Sequence, residues 1–356
     1  MRDAMTVLVA VTVGTLAAPP AAPAPSAQLW SAPEAQAAAP QFPAPGPRAA
    51  IVFGQPVAPP NVVHAPVELA KAFGFMDKFN VDLRTLDFDG STRALTAAIA
   101  GGVNVGLIDC QVAAGNGVPI VAFYAPAPRT DFVLVARDTI KTLADLKGKK
   151  MGLSSPPGGI IDRFNRAILA TAGLRADDVA MVPTTTAGRV PALVTGQSDT
   201  AIFHYEQASK VLRTQRGFHV LYDLYKALPD YEYNIYCGLR PWVEAHRDLI
   251  VNMTAATILA VRYAYAHRPE TIKALTDITH EDAEDVAYAY GKIVTGCIWA
   301  RNLGLDTRRL NWTTQWEHQA GNLRNPYDAA QILDMSIANE ALAKAGGTVP
   351  VPEGCE

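Results

Sequence analysis

The chain is poor in cysteine and in charge. It holds four cysteines, Cys110, Cys237, Cys297 and Cys355, and no two form a CxxC pair. This disfavours the thiol spacing of a structural zinc site. Charged residues make up 18% and the formal net charge is -3. A nucleic-acid-binding surface, which needs concentrated positive charge, is not expected. No repeat of fixed period runs along the chain, so a solenoid is not expected either. The first 47 residues contain no lysine.

Residues 5–18, "MTVLVAVTVGTLAA", are apolar or small without interruption. This run falls short of the roughly 20 residues a membrane span needs. It reads as the core of a signal peptide, with Arg2 the only basic side chain before it. "AQAAAP" offers a small-x-small cleavage site after Ala37. Residues 19–47 are mostly alanine and proline, a composition that makes a stiff spacer rather than a core. The expected layout is a signal peptide and processed segment (1–37), a linker (38–47), and two lobes of ordinary size. The first lobe would use residues 48–128 and 234–356, and the second residues 129–233. In an exported protein the four cysteines allow three complete pairings. Buried thiols with a free Cys355 are an equal alternative.

From Arg48 strands and helices alternate. "AAIVFGQPV", "VDLRTLDF", "VNVGLI" and "IVAFY" have strand character, with helical patterns between them. Leu95, Ala98 and Ile99 are expected on one buried helix face. After "APAPRT" the alternation resumes with "FVLVAR", "MGLSS", "VAMVPT" and "TAIFH". Ile161, Phe164, Ile168 and Leu169 form an apolar helix face there. Alternation of this kind implies parallel sheets. From Trp242 the pattern is helical, and Arg262 argues against a membrane span in "LIVNMTAATILAVRYAYAH". These last helices are expected to cover the first lobe.

Three stretches carry a family resemblance: "ELAKAFGFMDKFNVDLRTLDFDGSTRALTAAIAGGVNVGLID", "TLADLKGKKMGLSSPPGG" and "ALVTGQSDTAIFHYEQA". In this order and spacing, the chain from about residue 51 to 345 resembles the solute-binding proteins of ABC importers. The nearest branch is that of nitrate, sulfonate, taurine and thiamine precursors. Asn104 departs from the acid usual at its turn. The resemblance implies an α/β, two-lobe periplasmic-binding-protein fold of type II. Each lobe would be a mainly parallel sheet flanked by helices, joined by crossovers near residues 125–131 and 227–234. It implies a small-molecule solute between the lobes, an ABC permease as membrane partner, a periplasmic or otherwise extracytoplasmic location, a monomer, and no cofactor or metal.

In such sheets ligands bind beyond the carboxyl ends of the strands. Gly90, Ser91 and Thr92 open a helix after one strand, while Asp109, Cys110 and Gln111 end the next. Ser154, Ser155, Gly158 and Gly159 are the counterpart in the second lobe. Helix starts of this kind favour an acceptor or anion, although Ser91 or Thr92 serves equally as a simple cap. Arg129, in the first crossover, is a candidate carboxylate or sulfonate partner. His204, Tyr205 and Glu206, with Tyr233, Asn234 and His64, would read a polar heterocycle. The expected ligand is aromatic or heteroaromatic, either an organic anion or a nitrogen heterocycle such as a pyrimidine precursor. The alternative is a thiamine-pyrimidine-synthase-like enzyme using pyridoxal phosphate. That chemistry demands a cofactor lysine and a cysteine-rich iron-binding run, which the dispersed cysteines do not supply. A sensor module is a weaker third reading.

N-terminal sequencing of the protein from its native cell envelope is expected to find at least the first 18 residues missing, with cleavage after Ala37 the preferred site. An intact Met1 in a cytoplasmic fraction would overturn the export reading.

Overall fold

The computed structural model describes residues 38–355, so the apolar run and its cleavage site lie outside the described residues. Ten strands are found there: β1 (Ala49–Gln55), β2 (Val81–Asp87), β3 (Val105–Gly106), β4 (Ile120–Ala127), β5 (Val133–Arg137), β6 (Lys150–Leu153), β7 (Ala180–Pro183), β8 (Thr200–Phe203), β9 (Phe218–Asp223) and β10 (Asn234–Leu239). They form two five-stranded sheets, ordered β2-β1-β3-β10-β4 and β7-β6-β8-β5-β9. In the first sheet β10 alone runs against the others, and in the second β5 alone does. Each sheet is therefore mainly parallel, with one reversed strand supplied next to a crossover.

The chain leaves the first sheet after β4 and enters the second at β5. It returns after β9 through the short helix Leu224–Ala227 to β10. Neither β9 nor β10 stands out in the sequence. β9 is only half-buried and pairs with β5, while β10 pairs with β4 and β3, all distant in the chain. Strand pairing of this kind is decided by remote partners rather than by local pattern.

The apolar faces behave largely as their spacing requires. Ile161, Phe164, Ile168 and Leu169 are buried against Leu134, Met151 and Ile202 under the second sheet. Ala94, Leu95 and Ala98 are buried, but Ile99, the last residue of its helix, is 56% exposed. The apolar helix Arg247–Ala266 is a core helix, packed on Pro66–Ala72 and Met335–Lys344. Its Arg262 donates to the carbonyls of Arg301, Ala345 and Gly347.

Two expectations need correction, and one open alternative is settled. The C-terminal helices do not cover the first sheet alone. Ala283–Thr295 packs on Tyr205–Thr214 of the second lobe, where Asp285 and Asp282 hold Arg213 at 2.7 and 2.6 Å. Residues 38–47 are not a free spacer, because the Gln41 N–H donates to the Lys344 carbonyl and Phe42 packs edge-on against Phe79 at 5.2 Å. Finally, no cysteine among the described residues is free: Cys110 bonds Cys237, and Cys297 bonds Cys355.

The Cys110–Cys237 bond ties the turn after β3 to β10 across a sequence separation of 127. Constraining so long a loop stabilises by about 2–4 kcal/mol. Replacing both residues with alanine is expected to lower the unfolding free energy by that amount in denaturant titrations. An unchanged midpoint would overturn the pairing.

Candidate functional site

A cavity of about 520 Å³ opens between the two sheets, at the ends of β3, β6, β7 and β8 and the start of β10. Sites for small organic molecules span roughly 300–1,000 Å³. Its wall is mainly apolar, with Phe132, Tyr231 and Tyr233 from the crossovers.

The first-lobe wall carries the predicted Gly90, Ser91, Thr92, Asp109, Cys110 and Gln111. Gly90 has φ 109, a conformation that disfavours a side chain even though the space beside it is open. Its N–H donates to the Pro56 carbonyl at 2.8 Å, which turns β2 into the helix Ser91–Ile99. The Ser91 hydroxyl does not cap that helix and instead reaches Asp109 Oδ2 at 3.4 Å. Asp109 adopts φ 57 between β3 and the helix Cys110–Gly115. A left-handed residue that is not glycine costs free energy and persists only where its surroundings hold it. Here the disulfide at Cys110 and the Gln111 amide, donating to the Glu232 carbonyl at 3.0 Å, hold it.

Across the cavity stand Ser154, Ser155, Gly159 and Arg163. Gly158 lies outside the wall: its N–H donates to Asp162 Oδ2 at 2.7 Å, and the Asp162 N–H donates to the Ser155 hydroxyl at 3.3 Å. The start of the helix Ile160–Thr171 is thus closed by its own residues. A Cβ on Gly159 would meet Ser155 at 2.8 Å, so this turn demands glycine for space. Arg163, on that helix, is 3% exposed, with Nε 3.3 Å from Glu317 Oε1 and Nη2 4.0 Å from Asp109 Oδ1. Glu317 belongs to the helix Thr307–Gln319 and also accepts from the Tyr231 hydroxyl (3.0 Å) and the Asn322 amide (2.8 Å). Burial opposes the Arg163 charge, but Tyr231, Asp109 and Glu317 together hold it firmly protonated.

A second polar group closes the far wall. His204 and His64 line the cavity, their rings 5.3 Å apart and edge to face. His204 Nδ1 lies 2.8 Å from Asp131 Oδ1, and His64 Nε2 lies 3.2 Å from the Tyr233 hydroxyl. Burial lowers both imidazoles well below their usual pKa, so each ring stays neutral. Burial likewise raises Asp131, and it pushes Glu206 up to about 8, helped by the Asp131 charge. Arg189, also buried, donates to the carbonyls of Ile202 and Thr186.

Three predicted contacts are not brought to the cavity besides Gly158. Arg129 donates to the carbonyls of Gly296 (3.1 Å) and Gly354 and lies over the Tyr225 ring, away from the cleft. The helix Tyr205–Thr214 turns Tyr205 toward Asp223. Glu206 sits behind the wall, accepting from the Asn61 amide at 2.7 Å. Asn234 is in the wall as expected. The sequence reading missed Phe132, Arg163, Thr184, Arg189, Tyr231 and Glu317. Tyr231 had a signal, its position in the aromatic crossover "LPDYEYN". Arg163 and Glu317 had none, because each reads as a polar position on an amphipathic helix.

The sign of the pH dependence follows from these groups. Glu206 moves from 4.5 to about 8 on folding, so its stabilisation is full below about pH 4.5 and is lost as pH rises toward 8. The lowered histidines act oppositely, losing stability as pH falls below about 6.5. Glu206→Gln is expected to make the decline between pH 5 and 8 shallower, by up to about 1.4 kcal/mol per pH unit. Glu232, raised to about 8 as well, keeps a residual slope. Melts across that range check it, and an unaltered slope would count against a proton held on Glu206.

The family model described as NMT1/THI5 like matches residues 61–271. A Haemophilus influenzae protein named for thiamine biosynthesis is 29% identical over 182 residues, covering 48% of this chain and 56% of its own. The chain spans about half the length of the curated relatives it matches. In fold it is similar to the periplasmic aliphatic sulphonate binding protein SsuA from Escherichia coli, with TM-score 0.65 at 20% identity over 81% of this chain and 97% of that one. It is also similar to the periplasmic nitrate-binding protein NrtA from Synechocystis PCC 6803, with TM-score 0.66 at 13% identity over 86% and 89%. The expected two-lobe periplasmic-binding-protein fold is the architecture these neighbours share with it. With the family model matching more than half of its length, the chain belongs to the NMT1/THI5-like family.

Proposed function

We propose that this protein is the extracytoplasmic solute-binding component of an ABC importer, taking a small organic solute in the cleft and handing it to a membrane permease. The cavity carries this reading. It lies where two α/β sheets present their strand ends to one space, it is walled by three aromatic rings, and it has a few fixed polar groups. Those features suit a ring-containing solute with polar substituents. The crossovers beside it give the two sheets the connectivity of a hinge that closes on ligand. The binding proteins SsuA and NrtA, by their names, supply the analogy for transport.

The enzyme alternative finds less support. A pyridoxal phosphate enzyme holds its cofactor as a Schiff base on lysine. Among the described residues no lysine lines the cavity. Neither does any group of three or more histidine, cysteine or acidic side chains there stand ready to hold an iron ion.

A thermal-shift screen of sulfonates, aromatic acids and pyrimidines is expected to find a solute that raises the melting temperature by mass action. With that solute, His204→Gln should weaken binding roughly threefold to tenfold, the cost of one buried hydrogen bond. Arg129→Ala, away from the wall, should change it less than about twofold. Calorimetry on both variants is the check. A large loss at Arg129 with none at His204 would move the site out of this cavity.

A further inference from the structure

The charges around the cleft are unequal, and their arrangement bears on which solute it takes, given the reading of it as a solute site. At one end the wall carries Asp109 and Arg163, and Glu317, buried behind the wall, is the other carboxylate beside that guanidinium. Arg163 lies closer to Glu317, at 3.3 Å against 4.0 Å for Asp109. The remaining contact of Asp109 is the 3.4 Å approach of the Ser91 hydroxyl. A carboxylate offers about four lone-pair sites, so Asp109, in the cavity wall, retains room for a short donor. Its side chain is 11% exposed, and the two residues that follow it are held by the disulfide and by the Gln111 hydrogen bond.

Several groups that would receive an anion are already engaged, though Arg163 Nε and the Asn234 side-chain amide in the wall have no hydrogen-bond partner. Arg189 donates to two carbonyls and is surrounded by Glu206 and Asp131. Arg93, at the rim, lies 3.8 Å from Asp89. The second-lobe helix start is occupied by Asp162, and the first faces Asp109 through Ser91. The far wall carries the Arg189 guanidinium, held between Glu206 and Asp131, beside the neutral imidazoles of His64 and His204. There His64 Nδ1 has no hydrogen-bond partner, although its residue is only 2% exposed. Between the two ends lie Phe132, Tyr231 and Tyr233, whose ring faces attract a cation as well as an aromatic group.

We infer that the solute is an organic cation: an aromatic ring bearing a protonated amine or amidinium, with its positive group against Asp109 and its ring among the crossover aromatics. An anion in that position would face the Asp109 carboxylate in the wall, with Glu317 buried behind it, and like charges brought together in this way repel.

The test is calorimetry of the full chain with three matched probes: 1-naphthylmethylamine, 1-naphthalenemethanol and 1-naphthalenesulfonate. The amine is expected to bind at least about tenfold more tightly than the sulfonate, the scale of a buried hydrogen bond to a charged group. Asp109→Asn should remove that preference while changing the affinity for the alcohol less than about twofold. Asp109→Glu, which keeps the charge, should retain the preference in part and guards against a folding defect. Tighter binding of the sulfonate, or an amine affinity untouched by Asp109→Asn, would overturn the cation assignment and leave the solute-binding reading standing. If none of the three binds at millimolar concentration, the aromatic-cation assignment falls, and the screen above judges the solute-binding reading by itself.

Discussion

Arg163 reaches from a helix of the second lobe into carboxylates supplied by the rest of the molecule. Burying a guanidinium costs several kcal/mol unless its charge and its donors are answered on the spot. Glu317 and Asp109 answer the charge, Nε is left without a hydrogen-bond partner, and Glu317 is in turn held by Tyr231 and Asn322. This group joins the helix Ile160–Thr171, the helix Thr307–Gln319, the second crossover and the turn after β3. Movement of one lobe against the other has to part these charges or carry them along. The shape of the cleft's Arg163 end therefore rests on these ion pairs.

At the opposite wall the lobes meet through the neutral imidazoles of His64 and His204 and through Glu206, beside the buried Arg189. Asn61 holds Glu206, and the His64 and His204 rings touch edge to face. Burial keeps the histidines uncharged and favours a proton on Glu206. The cleft thus has Asp109 and Arg163 at one end, and Arg189 with two neutral imidazoles at the other, with aromatic rings between them.

The disulfides and Arg129 serve the frame around this cleft. Cys110–Cys237 locks the turn that presents Asp109 to the neighbouring strand. Arg129, in the first crossover, holds the carbonyls of Gly296 and Gly354, each next to a cysteine of the Cys297–Cys355 bond. An arginine that looked like a ligand contact fastens the chain's last turn to the crossover instead. Its planar fork suits two carbonyls as well as it suits a carboxylate.

What the sequence determined by itself is whatever depends on near neighbours. The strand-helix alternation, the buried face of Ile161, Phe164, Ile168 and Leu169, and the turns at Gly90 and Gly159 all follow from side-chain period and backbone freedom over a few residues. These placed Ser91, Asp109, Ser154 and His204 at strand ends, and hence in one cleft. Tertiary structure decided everything that needs a partner far along the chain. β10 is a strand because β4 and β3 receive it, and the cysteine pairs form because the folded sheets and tail bring their thiols together. Arg163 and Glu317 look like surface residues until two helices more than a hundred positions apart in sequence bring them into contact, and Arg129 looks free until the tail arrives. Periodicity tells which way a side chain points on its own element. It holds no information about which charge another element will bring to meet it, and in this protein those meetings set the charge of the site.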